Sequence, residues 1–468
     1  MLFTSQTFLG FLAIVFVLHW FVCGRAKRLQ NSLLIIASYI FYGWFDWRFC
    51  GLLALSTISA YVCGGRIGEG GEPKKSGKRK AWLWVGVAIN IGVLGFFKYF
   101  NFFAESIADL LSSIGLSTDI PTLNLMLPIG ISFYSFMAIS YVVDVYRETI
   151  KSAREPIAFV SAMSFFPQLL AGPIGRMSEM LPQFELRRDF DYAMAVDGCR
   201  QMLWGFFKKI VIADGCATLT DRLFLEPSAF SGSVLAVGVF MYAVQIYADF
   251  SGYSDIAIGC GKLFGIKMIR NFAFPYFATN IADFWRRWHI SLTTWFRDYV
   301  YIPLGGSRCS RMAHVRNIFI VFALSGLWHG ANWTFVIWGL VHAFLFVPFL
   351  LVRRESGVSV LRTMSGWLVT MVCVMLAWVF FRANTLGAVG EYFSAMFSRS
   401  LFSFPNQYLS MLPWIMGALL VEWFQRTKEH ALQIGNLPRF VRVPLYFVIA
   451  TLCLAYQQRT GEFIYFQF

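Results

Sequence analysis

The sequence predicts an all-α polytopic membrane protein, with about ten to twelve transmembrane helices of some 20 apolar residues each and further re-entrant or interfacial helices around a polar chamber. Composition is the first ground: of 468 residues, 57% are hydrophobic and only 14% charged, and the mean hydropathy is +0.58, far from the composition of a soluble domain. The second is the recurrence of apolar runs near spanning length. The third is a pair of stretches between those runs where charge and helix breakers interrupt the apolar pattern.

The runs lie at residues 4–23, 31–45, 50–64, 82–100, 123–143, 232–248, 365–381, 408–424 and 441–457. The first, "TSQTFLGFLAIVFVLHWFVCG", has no basic residue before it and no small-residue cleavage pattern after it, so it is expected to stay as a span. Arg25, Lys27 and Arg28 follow it; Arg66, Lys74, Lys75, Lys78, Arg79 and Lys80 separate the third and fourth runs; Arg147, Lys151 and Arg154 follow the fifth. With alternating spans these loops share one side, and the positive-inside rule makes that side cytoplasmic and the N-terminus extracytoplasmic. The net charge of +14 therefore reads as a topology signal and not as a nucleic-acid footprint. Nine cysteines are scattered singly, without a spacing that suggests disulfides or zinc. The expected organisation is one membrane domain over residues 1–468, with N-terminal helices over 1–145, a catalytic core with re-entrant segments over 146–350, and C-terminal helices over 351–468.

"FVSAMSFFPQLLAGPIGRMSEMLPQF" stays apolar for about fifteen residues, too few to span, and turns at Gly172-Pro173, which predicts a re-entrant or interfacial segment. "YADFSGYSDIAIGCGKLFGI" sets Asp249 and Asp255 at the end of an apolar stretch. An ionised carboxylate there costs several kcal/mol unless paired or wet, so both are candidates for a polar, substrate-contacting pocket, with helix-end capping as the alternative. In "FWRRWHISLTTWFRDYVYIPLGGSR", helical spacing aligns Phe284, Trp288, Ser291 and Trp295 and turns Arg286, His289 and Arg297 to other faces, an aromatic face beside a cationic one.

Of six histidines, His19 and His342 sit in apolar runs and read as packing residues, while His314 and His430 lie beside basic residues and read as exposed. His329 differs. "FIVFALSGLWHGANWTFVIWGLVHAFLFV" is an apolar tract broken at its centre by Gly326, Gly330 and Asn332, so the helix should break beside this histidine. Flanking glycines allow close backbone approach and leave amides for a ligand. A neutral imidazole there can accept and return a hydroxyl proton, with a structural histidine in a kink as the alternative. Trp328 and Asn332 are candidate wall and hydrogen-bonding residues. Arg286 and Arg287 would disfavour protonation of His289, leaving it neutral as a second base or a ligand-orienting group. A channel or transporter would show the same hydropathy, but it predicts an inverted internal repeat, which the sequence lacks.

"FFPQLLAGPIGRMSEMLPQF", "YADFSGYSDIAIG", "NFAFPYFATNIADFWRRWHISLTTWFRDYVYIPLGGSR" and "SGLWHGANWTFVIWGLVHA", in this order, resemble the membrane-bound O-acyltransferase family, in particular its alginate O-acetyltransferase branch, over about residues 1–385. The resemblance implies a funnel across a thinned membrane centre, a cytoplasmic thioester donor, expected to be acetyl-CoA, and no bound cofactor or metal. It assigns His329 to the family's invariant histidine and His289 to its second one. It further implies a secreted or cell-wall polysaccharide acceptor such as alginate, an extracytoplasmic partner of the SGNH-hydrolase type, and a bacterial inner-membrane location. Arg286, Arg287, Arg297 and Arg308 would then line a donor vestibule and meet the phosphates, with snorkelling as the plainer explanation. The D-alanine-exporting branch, which draws on a carrier-protein thioester, shares "RWH" and "WFRDYVY"; Asp255 and the run Ile302 to Gly306 favour the polysaccharide branch.

Overall fold

The computed structural model describes residues 1–69, 76–116, 120–123, 125–170, 172–351, 359–405, 407, 409–457 and 463–464. Among them there are helices and connecting segments and no strand, and six helices are long and apolar enough to cross a membrane. The chain forms two compact units, residues 1–198 with 260–269, and residues 199–259 with 270–468.

The first unit opens with α1 (Gln6–Val17), whose N-terminus is capped by Ser5 Oγ accepting from Phe8 N, and which runs on through a π-turn to Val22. α2 (Lys27–Gly43), α3 (Phe49–Gly68), α4 (Gly77–Leu94), its continuation α5 (Phe100–Ser113) and α6 (Ile131–Tyr146) follow. α3, α4 and α6 pack on one another. Small and polar residues make that packing, as expected where lipid supplies no hydrophobic drive between helices: Ser56 Oγ donates to Asn90 Oδ1, and both are buried. The run expected from residue 123 becomes helix only at Ile131, because Gly130 at φ +77 and Pro128 hold the preceding residues out of a helical path. Lys27 pairs with Glu155 and Arg79 with Glu148, which gathers the basic loops at one end of this unit as their charge pattern predicts; Lys74 and Lys75 lie outside the described residues. The stretch from 156 to 184 is broken into α7 (Pro156–Ser164), α8 (Phe166–Leu169) and α9 (Met177–Phe184), all too short to span, in keeping with the re-entrant reading.

The second unit takes in the end of α10 (Tyr192–Phe206), a π-turn from Phe207 to Ala213, α11 (Asp214–Leu225) and most of α12 (Gly232–Leu263). After these come α13 (Ile281–Arg287), α14 (Ile290–Phe296), α15 (Arg311–His329), α16 (Trp333–Leu351), α17 (Val360–Arg382), α18 (Leu386–Met396), α19 (Leu412–Phe424) and α20 (Arg439–Tyr456). The apolar window of α12 is 83% buried against 11% for α20, so α12 is a core scaffold and α20 turns its apolar surface outward. α15 and α16 form a tight antiparallel hairpin. A Cβ on Gly326 would collide with the Phe335 carbonyl, and one on Gly339 with the Phe322 carbonyl, so this reciprocal pair of glycines lets the two backbones touch. The sequence expectation that Gly326 frees an amide for a ligand is thereby corrected: Gly326 lies inside α15, where its N–H belongs to the helix, and its open face is filled by α16.

Candidate active site

His329 is the last residue of α15, where extended Gly330 ends the helix. Its ring is buried, with centroids 5.1 Å from Trp328, 5.2 Å from Trp338 and 5.3 Å from Phe381. Asn332 fixes the turn that follows: Oδ1 accepts from Thr334 N at 3.0 Å to start α16, and Nδ2 donates to the Asn384 carbonyl at 2.8 Å. This candidate ligand residue is thus engaged with backbone on both sides of its amide. The hairpin turn lies at the end of the unit that also holds Arg382 paired with Asp221, while Arg297, Arg308 and Arg311 lie at the opposite end of α15.

His289 sits where the sequence reading expected continuous helix. α13 stops at Arg287, His289 takes φ +43, and α14 starts afresh at Ile290. The break occurs because this segment pairs with an upstream one: Ala273 N donates to the Arg287 carbonyl, and Ile290 N to the Asn271 carbonyl, each at 2.9 Å. Phe284, Trp288, Ser291 and Trp295 are all buried and Arg286 is exposed, as the stripe predicts, but His289 is only 1% exposed and does not share a cationic face with Arg286 and Arg297. Burial lowers its pKa to about 3, so the ring is neutral for that reason and not because of the neighbouring arginines. His289 Nδ1 lies 3.1 Å from Asn271 Oδ1. The ring centroid is 6.2 Å from that of His329 and 5.8 Å from that of Trp328, so the fold brings both candidate histidines and Trp328 together.

Of the remaining candidates, Asp255 lines a small cavity together with Asn271, the partner of His289, and Asp249 adjoins Phe250, which packs on the His289 ring. Asp249 is held by Lys209 at 2.8 Å and accepts from Ile464 N, and Lys209 also pairs with Asp214. Asp255 is held by Lys208 at 2.7 Å and by Gln201. Both carboxylates therefore have the partners that burial demands; the two lysines, adjacent in the π-turn after α10, were not singled out from sequence. Arg287 pairs with Asp283 at 3.0 Å, Arg286 approaches the same carboxylate at 3.8 Å, Arg297 is paired with Asp298, and Arg308 is exposed. Arg297 also lines an apolar cavity of about 380 Å³ with Trp285, Phe296, Tyr301, His314 and Ser325. His314 and Ser325 lie on one side of α15, and His329 is the next turn beyond Ser325. His314 is half-buried and bonded to Tyr301 Oη at 2.7 Å, and His430 is buried, so neither is the exposed residue that its basic neighbours suggested. His342 is fully buried, its ring 4.9 Å from Trp338 and 5.0 Å from Trp285.

Residues 89–389 match the family described as MBOAT, membrane-bound O-acyltransferase family. The chain is 41% identical over 402 residues to the probable alginate O-acetylase AlgI of Pseudomonas aeruginosa, covering 85% of this chain and 75% of that protein. It is 35% identical over 420 residues to the peptidoglycan O-acetyltransferase of Helicobacter pylori, covering 82% and 78%. Similarity to the teichoic acid D-alanyltransferase of Bacillus subtilis is 32% over 237 residues and covers 48% and 59%.

Proposed function

The chain belongs to the membrane-bound O-acyltransferase family and is a multi-pass membrane O-acyltransferase; from that premise we propose that it takes an acetyl group from acetyl-CoA at its cytoplasmic end for O-acetylation of a secreted or cell-wall polysaccharide. The observation that carries this reading is the buried pair His289 and His329, 6.2 Å apart at the broken end of α15. His329 takes the proton of the acceptor hydroxyl as its oxygen attacks the thioester carbonyl. The acyl–oxygen bond forms, the carbon–sulfur bond breaks, and the same imidazole returns the proton to the departing thiolate. Trp328, Trp338 and Phe381 wall the imidazole off from water, which would otherwise compete as acceptor. His289 holds the reacting hydroxyl beside it.

The apolar cavity supports the donor route. It runs along α15 from the arginine-rich end to Ser325, and Arg297 in its lining supplies a cation for the CoA phosphates. The positive-inside rule makes the Arg297 to Arg311 end of the second unit cytoplasmic and its hairpin turn outward-facing, and, applied to the first unit by itself, makes the basic loops cytoplasmic and the N-terminus extracytoplasmic. On the outer face the acceptor is a partner of the SGNH-hydrolase type that hands acetyl on to the glycan, in a bacterial inner membrane. The similarity to alginate and peptidoglycan O-acetylating proteins over most of the chain, against half of it for the D-alanyl enzyme, favours acetyl over D-alanyl transfer. The test is reconstitution in vesicles with the basic end outward and labelled acetyl-CoA outside. Label appearing on partner or glycan enclosed in the lumen is the expected result; label transferred only from an acylated carrier protein would overturn the donor assignment.

A further inference from the structure

We infer that Asn271 is a positioning residue that fixes His289 as the Nδ1-protonated tautomer, so that Nε2 meets the reactants as a hydrogen-bond acceptor. The inference rests on the reading of the histidine pair given above and says which of its partners His289 engages.

Three groups converge on one side-chain oxygen. Asn271 Oδ1 accepts from Ser291 Oγ at 2.9 Å and from Ser291 N at 3.3 Å, and lies 3.1 Å from His289 Nδ1. A backbone N–H only donates, so the atom facing it is the carbonyl oxygen and not the amide nitrogen. On the far side of the same amide, Nδ2 donates to Ser254 Oγ on α12 at 3.2 Å. An amide oxygen has no hydrogen to give, so Nδ1 of the imidazole must carry the proton and Nε2 the lone pair. Nε2 is buried and has no hydrogen-bond partner among the described residues.

The backbone and the ring walls hold this arrangement. The Asn271 carbonyl receives Ile290 N, which keeps His289 at φ +43, a conformation that costs a non-glycine residue about 1–3 kcal/mol and persists only when its surroundings determine it. Phe250 packs edge-on against the ring at 4.6 Å and Phe272 lies at 6.3 Å, and a flipped ring would place carbon against Asn271 Oδ1. The titratable ring facing His289 is His329; on the Asn271 side, Arg270, Lys208, Asp255, Glu429 and His430 line a small cavity together with Asn271. Asp249 is paired with Lys209, Asp255 with Lys208 and Arg287 with Asp283, so no unpaired charge among these selects the tautomer.

The chemical consequence is a restriction on what His289 can hold. The acceptor hydroxyl has one hydrogen: an acceptor-only Nε2 holds it before reaction, and it passes to His329 as the oxygen attacks; Nε2 does not donate to the thioester carbonyl or to the oxyanion that develops there. Asn271 thereby assigns His289 to the hydroxyl side of the reaction, next to the base His329.

Asn271→Asp keeps the acceptor but places a carboxylate at Nδ1, which lets the imidazole take a second proton. The expected result is normal protein levels with the acid limb of the pH–rate profile moved to higher pH in the variant than in the parent. Asn271→Leu should lose about 10²-fold at all pH values. A pH–rate profile unchanged from the parent in folded Asn271→Asp overturns the inference, as does Asn271→Leu working within tenfold of the parent. His289→Ala tells the two levels apart: if it is inactive while the Asn271 variants are normal, only this inference fails; if it is fully active, the role of His289 fails and the inference with it.

Discussion

Substituting Gly326 by alanine tests whether the contact between α15 and α16 sets the position of His329. A Cβ there would overlap the Phe335 carbonyl oxygen and lie 2.9 Å from its carbon and 3.2 Å from Val336 Cα, all backbone atoms that no side-chain rotation can clear. Carbon atoms settle at about 3.5–4.0 Å, so the helices must part by about 1 Å at this level. Overpacking of this kind costs about 1–3 kcal/mol. The functional effect should be larger in proportion, because His329 is the next residue but two and a 1 Å misplacement can cost about 10²-fold in rate. Gly417→Ala in α19, where a Cβ meets nothing within 4 Å, is the matched control and should leave the rate unchanged. The assay is glycan acetylation normalised to folded protein from detergent extracts. Gly326→Ala at parental rate, folded and in normal amount, would refute the claim that this contact positions the histidine.

Lys209 bridges Asp214 and Asp249, with all three side chains at most 3% exposed, so Lys209→Met should destabilise by about 3–5 kcal/mol through two uncompensated carboxylates; a melting temperature in detergent equal to the parent's would count against the network as a stabilising element. Ser325→Trp, which obstructs the cavity below His329, should raise KM for acetyl-CoA at least tenfold, and Arg297→Ala should raise it more than Arg286→Ala, since Arg286 is outside the cavity lining; equal effects from the two arginines would return both to a snorkelling role. A cysteine introduced at Ser76 should resist a membrane-impermeant reagent in intact cells and react after lysis; labelling in intact cells reverses the proposed orientation.

The hydropathy runs and the break at His329 were legible because both depend on local composition: apolar residues near spanning length, and a turn forced by Gly330 and capped by Asn332. The buried stripe from Phe284 to Trp295 was legible for the same reason, although the helix carrying it is broken. What breaks it is Asn271, 18 residues upstream, through a pairing of irregular segments that has no period and no composition signal. Lys208 and Lys209 carry no distinguishing signal in their own stretch of sequence; their partners Asp255 and Asp249 lie on another helix. The demand was readable from the carboxylates and the identity of the partners was not. His430 misled in the opposite direction: its neighbours in sequence are polar, but its neighbours in space bury it.

The most direct test of the account is His329→Gln set beside His342→Gln in the reconstituted acetylation assay. Both rings are buried among tryptophans, and both variants keep size and amide hydrogen-bonding capacity, but only His329 ends a broken helix beside His289. Removing a general base costs about 10²–10⁴-fold in rate, whereas removing a packing histidine costs stability of about 1–3 kcal/mol. The account predicts folded His329→Gln with acetylation lost and His342→Gln with most of its rate retained. A folded His329→Gln that acetylates at near-parental rate would contradict it, and the histidine pair would then describe the architecture of the site without its mechanism.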